Sequence, residues 1–141
     1  MSAIDIAVVN ALKGDATLTA LAPGGVFRDV APEAVVNAAM NDSGQVFGIV
    51  TLQSAPQRYS FTGRAFEDCL YLVKFISPST SPVGAQAAID RAEVVLSTVT
   101  AAGFAISCSR REERISFVES DGPVYWQHRG VSWYVAASPT S

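Results

Sequence analysis

Apolar residues recur with helical spacing at two places in the chain and with strand spacing at four. Ile4, Val8, Ala11 and Leu12 fall at i, i+4, i+7 and i+8, which predicts an amphipathic helix over 2–13. Ser2 followed three residues later by Asp5 fits a capping box, and Lys13-Gly14 supplies a stop. A short turn over 15–21 then carries Leu18 and Leu21 inward, before Pro23-Gly24-Gly25 breaks the chain. The second helical stripe is longer: Ala85, Ala88, Ile89, Ala92, Val95, Leu96 and Val99, with Gln86, Asp90, Glu93 and Ser97 on the polar side. Ser81 with Pro82 reads as N-cap and first helical residue, and Gly103 as the residue that ends the element.

Strand signals fill the rest. Residues 26–30 read as a short strand, and 46–53 as a near-continuous β-branched run, the pattern of a strand covered on both faces. In 67–76, Cys69, Tyr71, Val73 and Phe75 alternate with Leu70, Leu72 and Ile76. Two long segments, 104–118 and 124–137, flank Ser120-Asp121-Gly122-Pro123, whose Asp-Gly pair signals a hairpin. The stretch 31–45 lacks a clean period and reads as a loop with a helical turn near 33–40, while 54–64 is polar and reads as a loop or extended arm. The order α-β-β-α-β-β predicts an α+β fold, a mainly antiparallel sheet with two main helices packed on one face. One domain spans 1–141, with a tail that frays over 138–141. The apolar second face of 46–53 then needs a cover of its own, and a neighbouring subunit is one way to supply it.

Composition narrows the function. Charged residues make up 16% of the chain, against about 25% in average globular domains, and depletion of charge is a mark of interface cores. The net charge is −3, and Lys and Arg together number 10, of which only Lys13 and Lys74 are lysines. The one dense group, Arg110, Arg111 and Arg114, is interleaved with Glu112 and Glu113. A nucleic-acid binder relies on a basic surplus or stripe, so tight DNA binding is excluded on charge. No run reaches the ~18 apolar residues of a membrane helix, and Asp5 interrupts the first apolar run where a signal peptide would need none. Cys69 and Cys108 fit reduced thiols of a cytoplasmic protein.

Catalytic, cofactor and metal sites are not expected. His128 is the one histidine and stands beside aromatics in a strand, with no nucleophile motif and no ligand partners at metal-binding spacing. Glu67-Asp68 and Glu112-Glu113 are adjacent carboxylates, but strand neighbours point to opposite faces and cannot converge on one substrate. No phosphate-binding glycine fingerprint is present. The residues singled out for a partner are therefore Tyr59, Phe61, Arg64 and Phe66 in the aromatic arm, and Arg110, Arg111, Glu112, Glu113 and Arg114 as an ion-pair cluster that fixes register between subunits. A small-molecule-binding α+β domain stands as the competing class, with His128 and either Tyr125 or Asp121 as its group.

From about Ile4 to Val135 the layout resembles the tail-terminator (tail-completion) family of long-tailed bacteriophages and gene-transfer particles. The resemblance rests on the order of the opening helix, the segment Gly24-Gly25-Val26-Phe27-Arg28-Asp29-Val30-Ala31-Pro32, the run Phe61-Thr62-Gly63-Arg64-Ala65 into Leu70-Tyr71-Leu72-Val73-Lys74, the Ala-rich helix, and the closing hairpin through His128-Arg129-Gly130-Val131. The irregular stretch 33–45 departs from the family, in which the chain goes quickly into the first long strand. The resemblance implies a structural protein of the virion tail or neck, assembled in the bacterial cytoplasm as a ring, usually hexameric. Such a ring caps the tail tube, ends its polymerisation and joins the head connector or stopper, while DNA passes its lumen without specific binding. It implies no catalytic residue and no cofactor, and another neck subunit is the near alternative.

Overall fold

A computed structural model describes residues 3–42, 44–54, 57–60 and 63–140, with the side chains at 57–60 and 63–66 outside that description. The elements, in chain order, are α1 (Ala3–Gly14), α2 (Ala16–Leu21), β1 (Gly25–Arg28), α3 (Glu33–Asn41), β2 (Phe47–Ser54), β3 (Gln57–Ser60), β4 (Gly63–Pro78), α4 (Val83–Leu96), β5 (Phe104–Asp121) and β6 (Val124–Pro139). The sheet runs β1-β2-β4-β6-β5, with β3 paired to β4 off that path. Among the described residues β1 pairs with β2 in parallel, and the other pairings are antiparallel. The class is α+β with a mainly antiparallel sheet, as the periodicities predict.

The two periodicities meet in the larger core. Alternation along β4 sends Cys69, Tyr71, Val73 and Phe75 to one face, and register places Val135, Trp133 and Val131 of β6 beside the first three. The apolar stripes of α1 (Ile4, Val8, Leu12) and α4 (Ala85, Ala88, Ile89, Ala92, Leu96) close over them. Alanines in α4 let its backbone come near the sheet. Gly48 of β2 shows how tight the layer is, since a Cβ there would stand 2.5 Å from the Phe75 ring.

Two expectations need correction. The element order is not α-β-β-α-β-β, because α2, α3 and β3 are elements in their own right. The helices do not all lie on one face. α3, expected as a single turn, is a nine-residue helix whose Val35, Val36 and Ala39 pack on Phe47, Ile76 and Trp126, the opposite side of the sheet from α1 and α4. The second apolar face of β2 is thus covered in part by the chain's own helix. At the C-terminal end β6 runs to Pro139, Ala105 pairs with Ser138, and the Thr140 N–H donates to the Gly103 carbonyl at 2.9 Å. The β5–β6 turn falls where Asp-Gly predicts it, with Gly122 at φ 61 and Asp121 opposite Val124.

Candidate functional site

The polar groups inside the fold serve architecture first. Asp5 lies on the buried stripe of α1 and not at a solvated cap: its Oδ1 accepts from Tyr71 Oη at 2.6 Å, and its Oδ2 faces Arg28 Nη2 at 2.9 Å. Burial, followed by that hydrogen bond, raises the Tyr71 phenol above its ordinary pKa. These contacts tie α1 to β1 and β4. Ser2, the expected capping partner of Asp5, lies outside the described residues. Asp15 accepts from the Leu18 N–H at the start of α2 and holds Arg91 of α4 through both carboxylate oxygens, each at 2.9 Å. The Arg91 hydrogen bond, then the Leu18 amide, bring the Asp15 carboxyl down to about 2.

His128 sits where α3 meets the sheet. Its ring stacks on Phe117 at 4.2 Å between centroids, and Nε2 stands 3.3 Å from Glu119 Oε1. Nδ1 is buried without a hydrogen-bond partner. Burial is the main cause that depresses the imidazole pKa, with the Lys74 ammonium adding to it and Glu119 opposing it. The ring is therefore neutral at physiological pH, and with Nε2–H directed at Glu119 the bare Nδ1 is an unused acceptor. His128 lines an open cleft of about 390 Å³ floored by Phe47, Ile49, Ile76 and Trp126 and edged by Asp29, Glu119 and Asp121. Of the two partners expected for a small-molecule site, Asp121 lines this cleft; Tyr125 alternates to the other side of β6 and is 46% exposed. No hydroxyl or thiol is within hydrogen-bond reach of the imidazole among the described residues, so the geometry offers no nucleophile for it to activate.

The residues expected at a subunit contact divide. Phe61 lies outside the described residues, as do the side chains of Tyr59, Arg64 and Phe66, whose backbone falls in β3 and β4. The charged group sits on β5, a strand at one edge of the sheet. Arg110 Nε pairs with Glu112 Oε1 at 2.9 Å and its guanidinium lies 5.3 Å from the centre of the Tyr134 ring, while Arg111 Nη1 reaches Glu93 of α4 at 3.0 Å. The β5–β6 register shifts between Arg111 and Glu113, a bulge inside the cluster. Glu113 and Arg114 flank that bulge, and Arg114 makes no ion pair among the described residues. Bulges and charges are the devices that stop an exposed edge from adding another strand, so β5 presents side-chain faces more readily than backbone.

The carboxylate pair of β4 separates as strand alternation requires. Glu67 is 8% exposed on the core side, and Asp68 accepts from Tyr134 Oη at 2.9 Å on the other. Cys69 and Cys108 are free thiols; burial pushes the Cys69 thiol up to about 11. Among the described residues, no group of three or more His, Cys, Asp or Glu is placed to hold a metal ion, and no helix is long and apolar enough to cross a membrane.

Sequence pattern missed the Asp5–Tyr71–Arg28 contacts, the Asp15–Arg91 pair and the α3 cleft. A usable signal existed for the first: Asp5 falls within the stripe Ile4, Val8, Val9 and Leu12, where an unpartnered carboxylate could not be buried.

No protein-family model matches the sequence, and comparison with curated proteins gives no match either. The fold does match that of a solved chain described as belonging to the virion of a native gene transfer agent (GTA) particle. The TM-score is 0.68 at 15% identity, and the alignment covers 96% of this chain and 94% of that chain.

Proposed function

We propose that this chain is a non-enzymatic structural subunit of a virion of the phage or gene-transfer type. In this reading it forms a ring, with six copies as the family resemblance implies, on the last ring of a tail tube. The ring ends tube polymerisation and offers its other face to the head connector, with DNA passing the lumen unbound. Assembly takes place in the bacterial cytoplasm, and the protein ends in the tail or neck of the particle. The observation that carries the reading is the end-to-end agreement of fold with a virion chain, with almost no residue of either chain left over.

Physical features of the chain support it. A head-to-tail contact whose rotation closes buries two different patches on every subunit, and the low charge fraction suits that demand. A net charge of −3 lets DNA slide by without counterion-release affinity. A head–tail stopper or connector subunit is the second reading, because the same fold agreement supports it equally. Electron microscopy of particles lacking the protein separates the two. Tails of uncontrolled length mark a terminator; tails of normal length that fail to join heads mark a connector; normal, joined particles overturn both.

A further inference from the structure

The turn-proximal half of the β5–β6 hairpin carries opposite charge on its two faces. On the α3 side, the apolar cleft is rimmed by Asp29, Glu119 and Asp121. Its mouth leaves Val30 and Met40 exposed at 73% and 48%. Lys74 lies on that side with its ammonium over the Phe117 ring at 5.6 Å, and Asp29 faces Arg28 Nε at 3.8 Å. His128, whose ring stacks on Phe117, lines the same cleft. On the α4 side, Arg114 and Arg129 line one groove with Gln86 and Ser116. Register sets Arg114 opposite Val131 and Arg129 opposite Ser116, so the two guanidiniums stand diagonally on one face. Neither makes an ion pair among the described residues: Glu93 of that groove is held by Arg111 at 3.0 Å, and Asp90 nearby by Gln86 at 2.9 Å. Val118, two residues beyond Ser116, is 54% exposed on that face, and Val83 at the start of α4 is 71% exposed.

One patch is apolar and acidic, the other apolar and basic, and they lie back to back. We propose that the α4-side patch of one copy docks against the α3-side cleft of the next, with Arg114 and Arg129 meeting Glu119 and Asp121. This rests on the ring reading above and specifies its contact. The occupant is a second copy, because the chain itself carries the complementary patch. A guanidinium brings five N–H donors and no acceptor, which suits the carboxylates of Glu119 and Asp121. Opposite faces of one hairpin in contact make the interface heterologous, which gives a ring when the rotation between copies closes and an open filament when it does not.

Charge reversal tests this on the full chain. Arg114→Glu with Arg129→Glu makes both patches acidic; Glu119→Arg with Asp121→Arg makes both basic. Each variant alone, with circular dichroism matching the wild type, is expected to lose the ring. Mixed in equal amounts they restore it, since each reversed patch then meets its opposite. The milder pair Arg114→Gln with Arg129→Gln raises the concentration of half-assembly by about tenfold or more, the effect of losing close interfacial charge pairs. It provides the readout if a reversal fails to fold. Variants that assemble like the wild type, or a mixture of folded variants that fails to recover, overturn the inference and leave the ring reading standing. A wild-type chain that stays monomeric with tail-tube protein overturns that reading as well.

Discussion

Replacing Tyr71 by Phe removes one oxygen from the interior and tests how α1 is anchored. Tyr71 is 1% exposed and its hydroxyl donates at 2.6 Å to Asp5, itself 3% exposed. A hydrogen bond to a charged group contributes about 1.5–3 kcal/mol net, and the ring stays in place, so no cavity larger than a hydroxyl opens. The expected loss is about 2 kcal/mol, a fall in Tm of about 6 °C for a chain of this size. Urea unfolding followed by tryptophan fluorescence reads it directly, because Trp126 and Trp133 are 6% and 3% exposed. Protein concentration must be held constant, since assembly raises apparent stability by mass action. Hydrogen exchange should accelerate first in α1, which loses part of its tie to β4. A variant within about 0.5 kcal/mol of wild type, the range of an ordinary surface change, would refute the reasoning and show that the phenol adds nothing to holding Asp5.

Three further outcomes follow from named contacts. Gly48→Ala forces a methyl to 2.5 Å from the Phe75 ring, which is fully buried, and overpacking of this kind costs about 1–3 kcal/mol in a urea melt. Asp15 is brought down to about 2 when folded, against 3.8 for the free carboxyl. A depressed carboxylate stabilises the fold above the higher value and loses that contribution as pH falls through the lower one. Acid unfolding should therefore be steeper over that window in the wild type than in Arg91→Ala; equal slopes would remove the pair from the account. Under native conditions at pH 8 a thiol reagent should modify Cys108 quickly and Cys69 only after denaturation, because burial holds the Cys69 thiol near 11.

The elements legible in the sequence are those whose own side chains carry the period. α1, α4, β4 and the β5–β6 hairpin each bury a stripe or an alternation that needs no knowledge of the neighbours. β3 is different: its strand is set by pairing with β4, and nothing local in a polar segment announces a distant partner. α3 was obscured by Asn37 and Asn41, which interrupt a stripe only nine residues long, although Val35, Val36 and Ala39 keep helical spacing. Reading 31–45 as a loop with one helical turn leaves the second sheet face without the cover that α3 supplies. The interface cluster was legible as residues but not as geometry. Arg110, Arg111 and Glu112 find ion-pair partners within the chain, whereas Arg114 finds none among the described residues, and that division depends on the bulge after Arg111 and on Glu93 of α4. Arg129, which likewise makes no ion pair among the described residues, gives no signal because its register against Ser116 is a property of the folded hairpin.

Native mass spectrometry of the purified chain, alone and with tail-tube protein, tests the central claim most directly. A ring subunit gives one closed species at a fixed multiple of the 14.9 kDa chain, six by the family resemblance, and that species persists on the ends of tubes. A strict monomer under both conditions, at concentrations where the tube protein polymerises, would contradict it.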